Sequence, residues 1–238
     1  MDSSRYGKIV CSSERPAPPD NVVMAYTQVL ILNSGGLRSL VATAATLQDA
    51  NRTRGSFLHV IDGRENQMVR TAHVRSQADF YGVPRVIEVD MPHVYGHGHG
   101  KKPDGSPMGS LTAPQFLLAA LQQARFIQAA RIIWPCSFNQ DMKLIARATE
   151  QVLLLDHLAD LEGVPMPQIE MPLVDMTDKQ VIELGSQLDV PWQIGWSCLT
   201  QNPKPCRACP SCLKRRQAFR SAGLLDPAFN PDLAAPST

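Results

Sequence analysis

Short apolar runs alternate along this chain with longer stretches in which apolar residues recur at helical spacing. A short run that is rich in β-branched residues and bounded by turn-forming residues is typical of a buried strand. The runs that meet this description predict strands at Thr27 to Asn33, Ser56 to Ile61, Arg85 to Val89, Arg131 to Pro135 and Gln168 to Met171.

The stretches between the predicted strands have the period of an α-helix. The predicted helices run from Leu37 to Asp49, Gln67 to Tyr81, Pro114 to Ala130 and Met142 to Leu161, and a further one begins at Thr177. Thr177 followed by Gln180 has the form of a capping box, which supports a helix start there. Apolar residues on one side of the long fourth helix are Leu144, Ile145, Ala148, Val152, Leu155 and Leu158. Strands that alternate with helices predict an α/β fold, with a parallel sheet that carries helices on both faces.

Residues 92–113 do not fit this alternation, because they are rich in Gly, Pro and Lys. A loop of this length in a compact domain is typically either a lid or disordered. A lid is favoured, and we expect its histidines, His97 and His99, to contact substrate or solvent. The predicted organisation is a tail, an α/β domain, a small cysteine-containing region and a flexible tail, over residues 1–26, 27–190, 191–225 and 226–238.

Composition favours a soluble protein. The 238 residues are 44% hydrophobic, which is enough to bury the core of one α/β domain. A formal net charge of +1 gives no strong nucleic-acid signal. The N-terminal stretch has no apolar segment of a secretion signal, and no run of about 18 apolar residues occurs. We therefore expect a cytoplasmic protein that does not bind a membrane.

The turn after the first predicted strand has the form of an anion site. Asn33 is followed by Ser-Gly-Gly, and the chain then enters a helix directly. This arrangement places backbone N–H groups and the positive end of the helix dipole at the carboxyl edge of the sheet. The alternative is that the two glycines only make a tight turn. The candidate phosphate loop consists of Ser34, Gly35, Gly36, Leu37, Arg38 and Ser39.

Four of the six cysteines follow one another closely near the C-terminus, with the spacing C-x7-C-x2-C-x2-C. This pattern predicts a closed, tetrahedral zinc site with a structural role. A redox C-x2-C pair and an iron–sulfur cluster are the alternatives. The remaining cysteines, Cys11 and Cys136, are interpreted as ordinary thiols. The predicted zinc ligands are Cys198, Cys206, Cys209 and Cys212.

The order and spacing of these motifs resemble one family. The strand-SGG-x-x-S-helix, the segment MPLVDMTDKQVIELGSQLDVP and the W-S-C-x7-C-x2-C-x2-C-x-x-R tail are together similar to the 7-cyano-7-deazaguanine synthases (QueC) within the PP-loop ATP pyrophosphatases. The similarity runs from about Gln28 to Phe219. It implies a PP-loop fold, like that of the adenine nucleotide alpha hydrolases and Rossmann-like, followed by the small zinc-binding region.

The resemblance also implies an activity. A family member is an ATP-dependent ligase of queuosine biosynthesis that adenylates a deazapurine carboxylate, 7-carboxy-7-deazaguanine, and makes the nitrile preQ0 with ammonia. ATP with Mg2+ is the co-substrate, the zinc is structural, and a homodimer is expected. Ser34, Ser39 and Lys179 would then be catalytic, with Asp141 and Arg147 at the purine edge. The alternatives are that Lys179 is an exposed helix lysine and that Asp141 is a helix N-cap.

Two departures from the family pattern concern the site. Arg38 stands where the family loop, SGG-x-D-S, has its aspartate, which reverses a charge beside the phosphates. If Pro114 matches the proline of the family's P-G-R-N stretch, Phe116 and Leu117 replace its Arg and Asn. Two further hypotheses follow: a QueC-like enzyme that adenylates another acceptor on a protein or a nucleic acid, and a non-catalytic nucleotide-binding scaffold.

Overall fold

The structure is a computed structural model that describes residues 27–48, 52–92 and 111–229. Its strands form one sheet in which every neighbouring pair is parallel, in the order β3-β2-β1-β4-β5. Parallel strands joined through helices predict this architecture, and the α/β prediction is confirmed. The strands are β1 (Thr27–Leu32), β2 (Thr53–Ile61), β3 (Val86–Asp90), β4 (Arg131–Ile133) and β5 (Gln168–Glu170).

Helices connect the strands and continue beyond the sheet. The predicted helices are confirmed, with ends that differ by a few residues. The helix α6 was not predicted; it begins at Cys209 as N-cap with Pro210 in its first turn, a position that suits proline. The helices are α1 (Leu37–Leu47), α2 (Gln67–Phe80), α3 (Thr112–Phe126), α4 (Met142–Leu161), α5 (Asp178–Gln187) and α6 (Pro210–Ser221), with a 3-10 turn at Trp192–Ile194.

The sheet separates two apolar cores. On one face, Val29 and Ile31 of β1 pack in a cluster with apolar residues of α1, α2 and α5. On the other face, Leu30 and Leu32 pack in a cluster with residues of α3 and with Leu155 of α4. Successive residues of a strand point to opposite faces, so a central parallel strand must be apolar throughout. This explains why the run VLIL was visible in the sequence.

The strand order creates a crevice at the carboxyl edge of the sheet. From β1 the chain moves outward through β2 to β3, and it then returns to the other side of β1 to add β4 and β5. The loops after β1 and β4 therefore diverge, and ligands of open α/β sheets bind at such a switch point. The predicted phosphate loop is the loop after β1.

Some expectations change with the structure. The apolar side predicted for α4 is only partly buried: Ala148 and Leu155 are buried, whereas Leu144 is 42% exposed and Leu158 is 43% exposed. Asp226, placed in the flexible tail by the sequence, is buried and ion-paired with Arg215. The predicted lid histidines, Cys11 and residues 1–26 and 230–238 lie outside the described residues. No helix in the described part of the chain has the length and apolar character needed to cross a membrane.

Candidate active site and cysteine cluster

The loop between β1 and α1 has the geometry of an anion-binding turn. Ser34 Oγ and Ser39 Oγ lie 3.1 Å apart, and the Ser34 N–H donates to Ser39 Oγ over 3.1 Å. Gly35 has a φ of +76°, and a Cβ there would lie 2.7 Å from the carbonyl oxygen of Arg70, so only glycine fits. Gly36 is the N-cap of α1 and makes no side-chain cap bond. The first N–H groups of α1 therefore have no side-chain cap to satisfy them.

Buried polar side chains hold this loop in place. Asn33 Oδ1 accepts from the Gly35 N–H over 2.7 Å, and Gln77 Nε2 donates to the Gly35 carbonyl over 3.1 Å. His59 Nδ1 lies 2.9 Å from the Asn33 carbonyl. Because a carbonyl only accepts, the His59 proton is on Nδ1, and Nε2 accepts from the Thr71 hydroxyl at 3.0 Å. Burial lowers the pKa of His59, which keeps the ring neutral and suited to this role.

A buried carboxylate follows β2 at the same edge. Asp62 Oδ2 accepts from Arg64 over 2.7 Å and from Arg70 over 2.6 Å, and the Asp62 side chain is 1% exposed. Arg70 also donates to the Ser34 carbonyl over 3.2 Å, so this cluster is joined to the phosphate loop. Burial acts to raise the pKa of Asp62, but the hydrogen bonds from Arg64 and Arg70 outweigh it and hold the pKa below its ordinary value.

Two cavities, each of about 360 Å³, meet at Ser34 and Arg38. The first, called the edge cavity, opens beyond the carboxyl ends of β1, β2 and β4. The second, called the helix cavity, lies between the first turns of α1, α5 and α6. Residues that line the edge cavity include Asn33, Ser39, Asp62, Arg64, Arg70, Phe116 and Trp134. Residues that line the helix cavity include Gly36, Asp178, Ser197, Ser211, Lys214 and Arg215.

Arg38 is held by a carboxylate from another helix. Its Nη2 donates to Asp178 Oδ1 over 2.8 Å, and Lys214 Nζ lies 3.2 Å from Asp178 Oδ2. Burial acts to raise the pKa of Asp178, but Arg38 and then Lys214 outweigh it, and the pKa is lowered. The loop that carries Arg38 in place of an aspartate therefore has a carboxylate beside it, supplied by α5.

The structure does not place every predicted site residue at these cavities. Lys179 points away: its side chain is 51% exposed and pairs with Glu183 over 3.3 Å on α5 itself. Asp141 is the N-cap of α4 and accepts from two N–H groups of the first turn, and Arg147 is exposed on α4. Neither of these two lines the edge cavity or the helix cavity. The alternatives of an exposed lysine and a helix cap describe the observed positions of Lys179 and Asp141.

Several lining residues were missed in the sequence. Asp62 follows directly after a predicted strand, at the edge where ligands bind, and this position was an available signal. Asp178 and Lys214 carried no comparable signal, since each is a charged residue in the first turns of a helix. Phe116 was noted only as a departure from the family, yet it lines the edge cavity opposite the phosphate loop.

The four predicted cysteine ligands converge. The Sγ atoms of the cluster all lie within 4.8 Å of one another. A tetrahedral ion with metal–sulfur bonds of about 2.3 Å places its sulfurs about 3.8 Å apart, so the donor set fits a single metal ion. The N–H of Cys206 donates to Cys198 Sγ over 3.3 Å, and the N–H of Cys209 donates to Cys206 Sγ over 3.3 Å. These bonds orient the sulfurs toward a common centre.

The electrostatics of the cluster also favour a bound cation. Burial opposes ionisation of Cys198, but the N–H of Cys206 and the Thr200 hydroxyl lower its pKa to about 6. Burial and then the neighbouring cysteines raise the pKa of Cys212 well above its ordinary value. Four thiolates so close together repel one another, and a bound metal ion removes this cost.

The cluster is attached to the α/β domain through buried polar contacts. Arg215, two turns into α6, is 5% exposed and donates to Asp226 over 2.7 and 2.8 Å. Arg215 also donates to the carbonyls of Trp192 and Gly195. Asn66 at the start of α2 donates to the Cys198 carbonyl over 2.8 Å. These contacts fix the cysteine region to the α/β domain.

Comparisons with known proteins agree with these features. The profile of the family described as "Queuosine biosynthesis protein QueC" matches residues 142–223. The 7-cyano-7-deazaguanine synthase of Chlorobaculum parvum is 28% identical over 221 residues, which cover 84% of this chain and 95% of that protein. The synthase of Trichodesmium erythraeum is 46% identical over 80 residues, 34% of this chain and 36% of that protein. The chain is therefore similar to 7-cyano-7-deazaguanine synthases along most of its length, and to the QueC profile over its C-terminal third.

The region matched by the QueC profile contains the cysteine cluster, Asp178 and Lys214, and it begins after the phosphate loop. Among solved structures, the U34-tRNA thiolase NcsA from Methanococcus maripaludis with its [4Fe-4S] cluster is 14% identical, with a TM-score of 0.48. That alignment covers 82% of this chain and 65% of the thiolase chain. A likeness of this extent bears neither on the ligand nor on the metal.

Proposed function

We propose that this protein is an ATP-dependent ligase that converts 7-carboxy-7-deazaguanine to 7-cyano-7-deazaguanine with ammonia. The observation that carries the proposal is the alignment with a named 7-cyano-7-deazaguanine synthase over 84% of the chain. It is supported by the phosphate loop at the switch point of the sheet, where two cavities meet. An adenylating ligase needs such a junction, because the nucleoside and the departing pyrophosphate are both attached to the α-phosphorus atom and extend away from it in different directions.

The proposed reaction activates an oxygen twice. The substrate carboxylate attacks the α-phosphorus of ATP, and the bond to pyrophosphate breaks. Ammonia then attacks the acyl carbon, AMP leaves, and one proton is released with the amide. The amide oxygen then attacks the α-phosphorus of a second ATP, and pyrophosphate leaves again. AMP departs with this oxygen and leaves the nitrile. Two protons are released over this second stage. A carboxylate needs this activation because oxide is a very poor leaving group.

The residues of the loop suit the departure of pyrophosphate. The uncapped N–H groups at the start of α1 and the hydroxyls of Ser34 and Ser39 are donors aimed at one place. Donors that are already oriented stabilise developing negative charge without the cost of reorganisation. We assign Ser34 and Ser39, with the backbone of Gly35 and Gly36, to binding of the transferred phosphates.

The edge cavity suits a planar base. Phe116 and Trp134 line it, and Asp62 lies at its polar end with two arginine partners. Aromatic walls with a few polar groups are typical of a site for a nucleoside. We assign the nucleoside of ATP to this cavity, so that the α-phosphate lies at Ser34 and Arg38, where the edge cavity and helix cavity join.

The metal of the cysteine cluster is proposed to be zinc. Four thiolates around one ion leave no open position, so the ion supplies structure rather than catalysis. Mg2+ is proposed to accompany ATP as its usual counter-ion, with no ligand assigned in this chain. Cytoplasmic location and a homodimer remain predictions, and sedimentation of the purified protein tests the second.

The experiment that tests the function uses purified protein with Mg-ATP, ammonium and 7-carboxy-7-deazaguanine, and follows AMP and product mass together. The expected product is the nitrile, with about two AMP formed for each nitrile. Nucleotide binding with no AMP formed from this acid contradicts the proposal. In that case the enzyme with a different acceptor is favoured, because Phe116 and Arg38 are the observed departures at the site.

A further inference from the structure

The helix cavity carries a charge distribution that the loop alone does not explain. Its wall includes the first turns of α1, α5 and α6, and two cationic side chains, Arg38 and Lys214, share the single carboxylate of Asp178. Arg215 also lines the cavity, but its charge is matched by Asp226. The wall therefore has one more positive than negative side chain, in addition to the N-termini of α1 and α6, which have no side-chain cap.

Lys214 is placed to act on a ligand in this cavity. It belongs to α6, lines the cavity, and is 55% exposed at its side chain, so it is free to move toward an anion. Its contact with Asp178 at 3.2 Å shows that its ammonium group reaches the same place as the guanidinium of Arg38, which belongs to the phosphate loop. The two cations come from different parts of the fold and converge on one carboxylate.

We propose that Lys214 is a ligand of the β- and γ-phosphates of ATP and of the pyrophosphate product, bound in the helix cavity beside Arg38. This inference rests on the proposed function. Asp178 keeps the two cationic side chains facing the cavity. When a polyphosphate binds, its oxygens pair with these two cations. A volume of about 360 Å³ accommodates a pyrophosphate group with water.

The proposal joins the cysteine cluster to nucleotide binding. Cys212 lies two residues before Lys214 on α6 and is buried in the cluster, so the bound metal determines where this turn of α6 lies. The metal is then needed for pyrophosphate affinity, although it lies outside the reacting centre.

The chain offers a matched control for Lys214. Lys179 is also a lysine near the N-terminal end of a helix, with a similar exposure of 51% at its side chain, but it pairs with Glu183 and does not line the helix cavity. Lys214→Met and Lys179→Met remove the same charge and nearly the same volume. Any general effect of net charge on anion binding is therefore common to both variants.

The test is calorimetric titration of the metal-loaded full-length protein with pyrophosphate and, separately, with AMP. Loss of one charge-assisted contact is expected to raise the Kd for pyrophosphate about tenfold in Lys214→Met. The Kd for AMP and the pyrophosphate affinity of Lys179→Met are expected to remain within about twofold of the parent. Lys214→Arg, which keeps the charge, is expected to restore most of the affinity.

Equal pyrophosphate affinity of the two methionine variants overturns the proposal. Weaker binding of both pyrophosphate and AMP by Lys214→Met also overturns it, since that result indicates a damaged fold. Because these titrations need no acceptor, failure of nitrile formation does not affect them. Conversely, nitrile formation that Lys214→Met leaves unchanged, with unchanged pyrophosphate affinity, sinks the inference and leaves the proposed function in place.

Discussion

Asp178 carries the negative charge that the phosphate loop lacks. In this loop an arginine stands where the resembled family has aspartate, and the side chain of Arg38 is neutralised by Asp178 from α5 at 2.8 Å. The two residues are 140 positions apart in sequence. The reversed charge of position 38 is thus compensated by a partner, and the loop does not present an unpaired cation.

This compensation predicts how charge exchange behaves. Arg38→Asp alone places two carboxylates together and is expected to lower the free energy of unfolding by about 1 kcal/mol, since the pair is partly exposed. Adding Asp178→Lys is expected to recover most of that loss. Urea denaturation of both single variants and the double variant gives the coupling energy, and simple additivity of the single effects argues against the pairing.

Asp62 is expected to matter more for stability than any exposed pair. Asp62→Ala leaves Arg70, whose side chain is 8% exposed, without its carboxylate. Removing one partner of a buried ion pair costs about 3 kcal/mol or more, because the remaining charge stays desolvated. Glu88→Ala is the control, since its pair with Arg75 is largely exposed, and about 1 kcal/mol or less is expected. Equal shifts of the two urea midpoints would contradict this ranking.

Burial also determines the reactivity of the single described cysteine that lies outside the cluster. Desolvation raises the pKa of Cys136 to about 12. Its alkylation rate in the folded protein is expected to remain far below that of an ordinary thiol and to rise about tenfold per pH unit up to about pH 9, whereas the rate of an ordinary thiol with a pKa near 8.5 levels off there. Mass spectrometry of iodoacetamide adducts measures the rate, and the urea-unfolded chain is the control.

We expect the helix α6 to depend on packing and on the proposed metal more than on its own sequence. It buries Cys212, Arg215, Ala218 and Phe219, and Phe219 contacts Trp192 with the rings 5.1 Å apart. Its exposed residues are mostly polar or basic, so it has a narrow apolar face. The small cluster of Trp196, Cys198 and Cys212 is too small to hold this region by hydrophobic burial alone.

Loss of one ligand is therefore expected to loosen this helix. Cys212→Ser should lower the metal content well below about one ion per chain. It should also speed tryptic cleavage after Lys214 and Arg216 about tenfold, because local unfolding exposes these bonds. Cys136→Ser lies outside the cluster and should change neither quantity. Metal analysis and timed digestion provide the measurements, and a metal-free protein with unchanged digestion would rule out a structural metal.

Buried titratable groups connect the sheet, the phosphate loop and the cysteine region. The stability of the whole fold should therefore depend on pH. Burial lowers the pKa of both His59 and His73 below the ordinary 6.5. As the pH falls below 6.5, these histidines bind protons in the unfolded chain but remain neutral in the folded chain. The free energy of unfolding is therefore highest above this pH and decreases as the pH falls. Asp62 and Asp178, with pKa values held below 3.8, add a further loss only under more acidic conditions.

The expected measurement is a urea midpoint that falls between about pH 7 and 5, followed by a steeper fall below about pH 4. His73→Phe should reduce the fall of the urea midpoint in the first pH range, because phenylalanine takes up no proton. The replacement is again an aromatic ring that can stack on Trp196, as His73 does. A midpoint that is constant from pH 7 to 5 would contradict the lowered pKa of both histidines in the folded protein.

The alternation of strands and helices could be predicted because it is local. Strands such as β1 are apolar over consecutive residues, helices repeat at 3.6 residues, and a Ser-Gly-Gly turn needs only its own backbone to form an anion site. The cysteine spacing likewise places several ligands on one turn. These features determine the α/β class, the phosphate loop and the metal ligands before any long-range contact is known.

Only the tertiary structure decided which charged side chains meet. Lys179 and Lys214 both lie in the first two turns of a helix. The packing of α5 directs Lys179 to the surface, whereas the packing of α6 directs Lys214 to the helix cavity. The partner of Arg38 depends in the same way on how α5 packs between α1 and α6. Sequence by itself determined the elements and the chemistry of the loop, whereas the direction of a side chain follows from the docking of its whole helix.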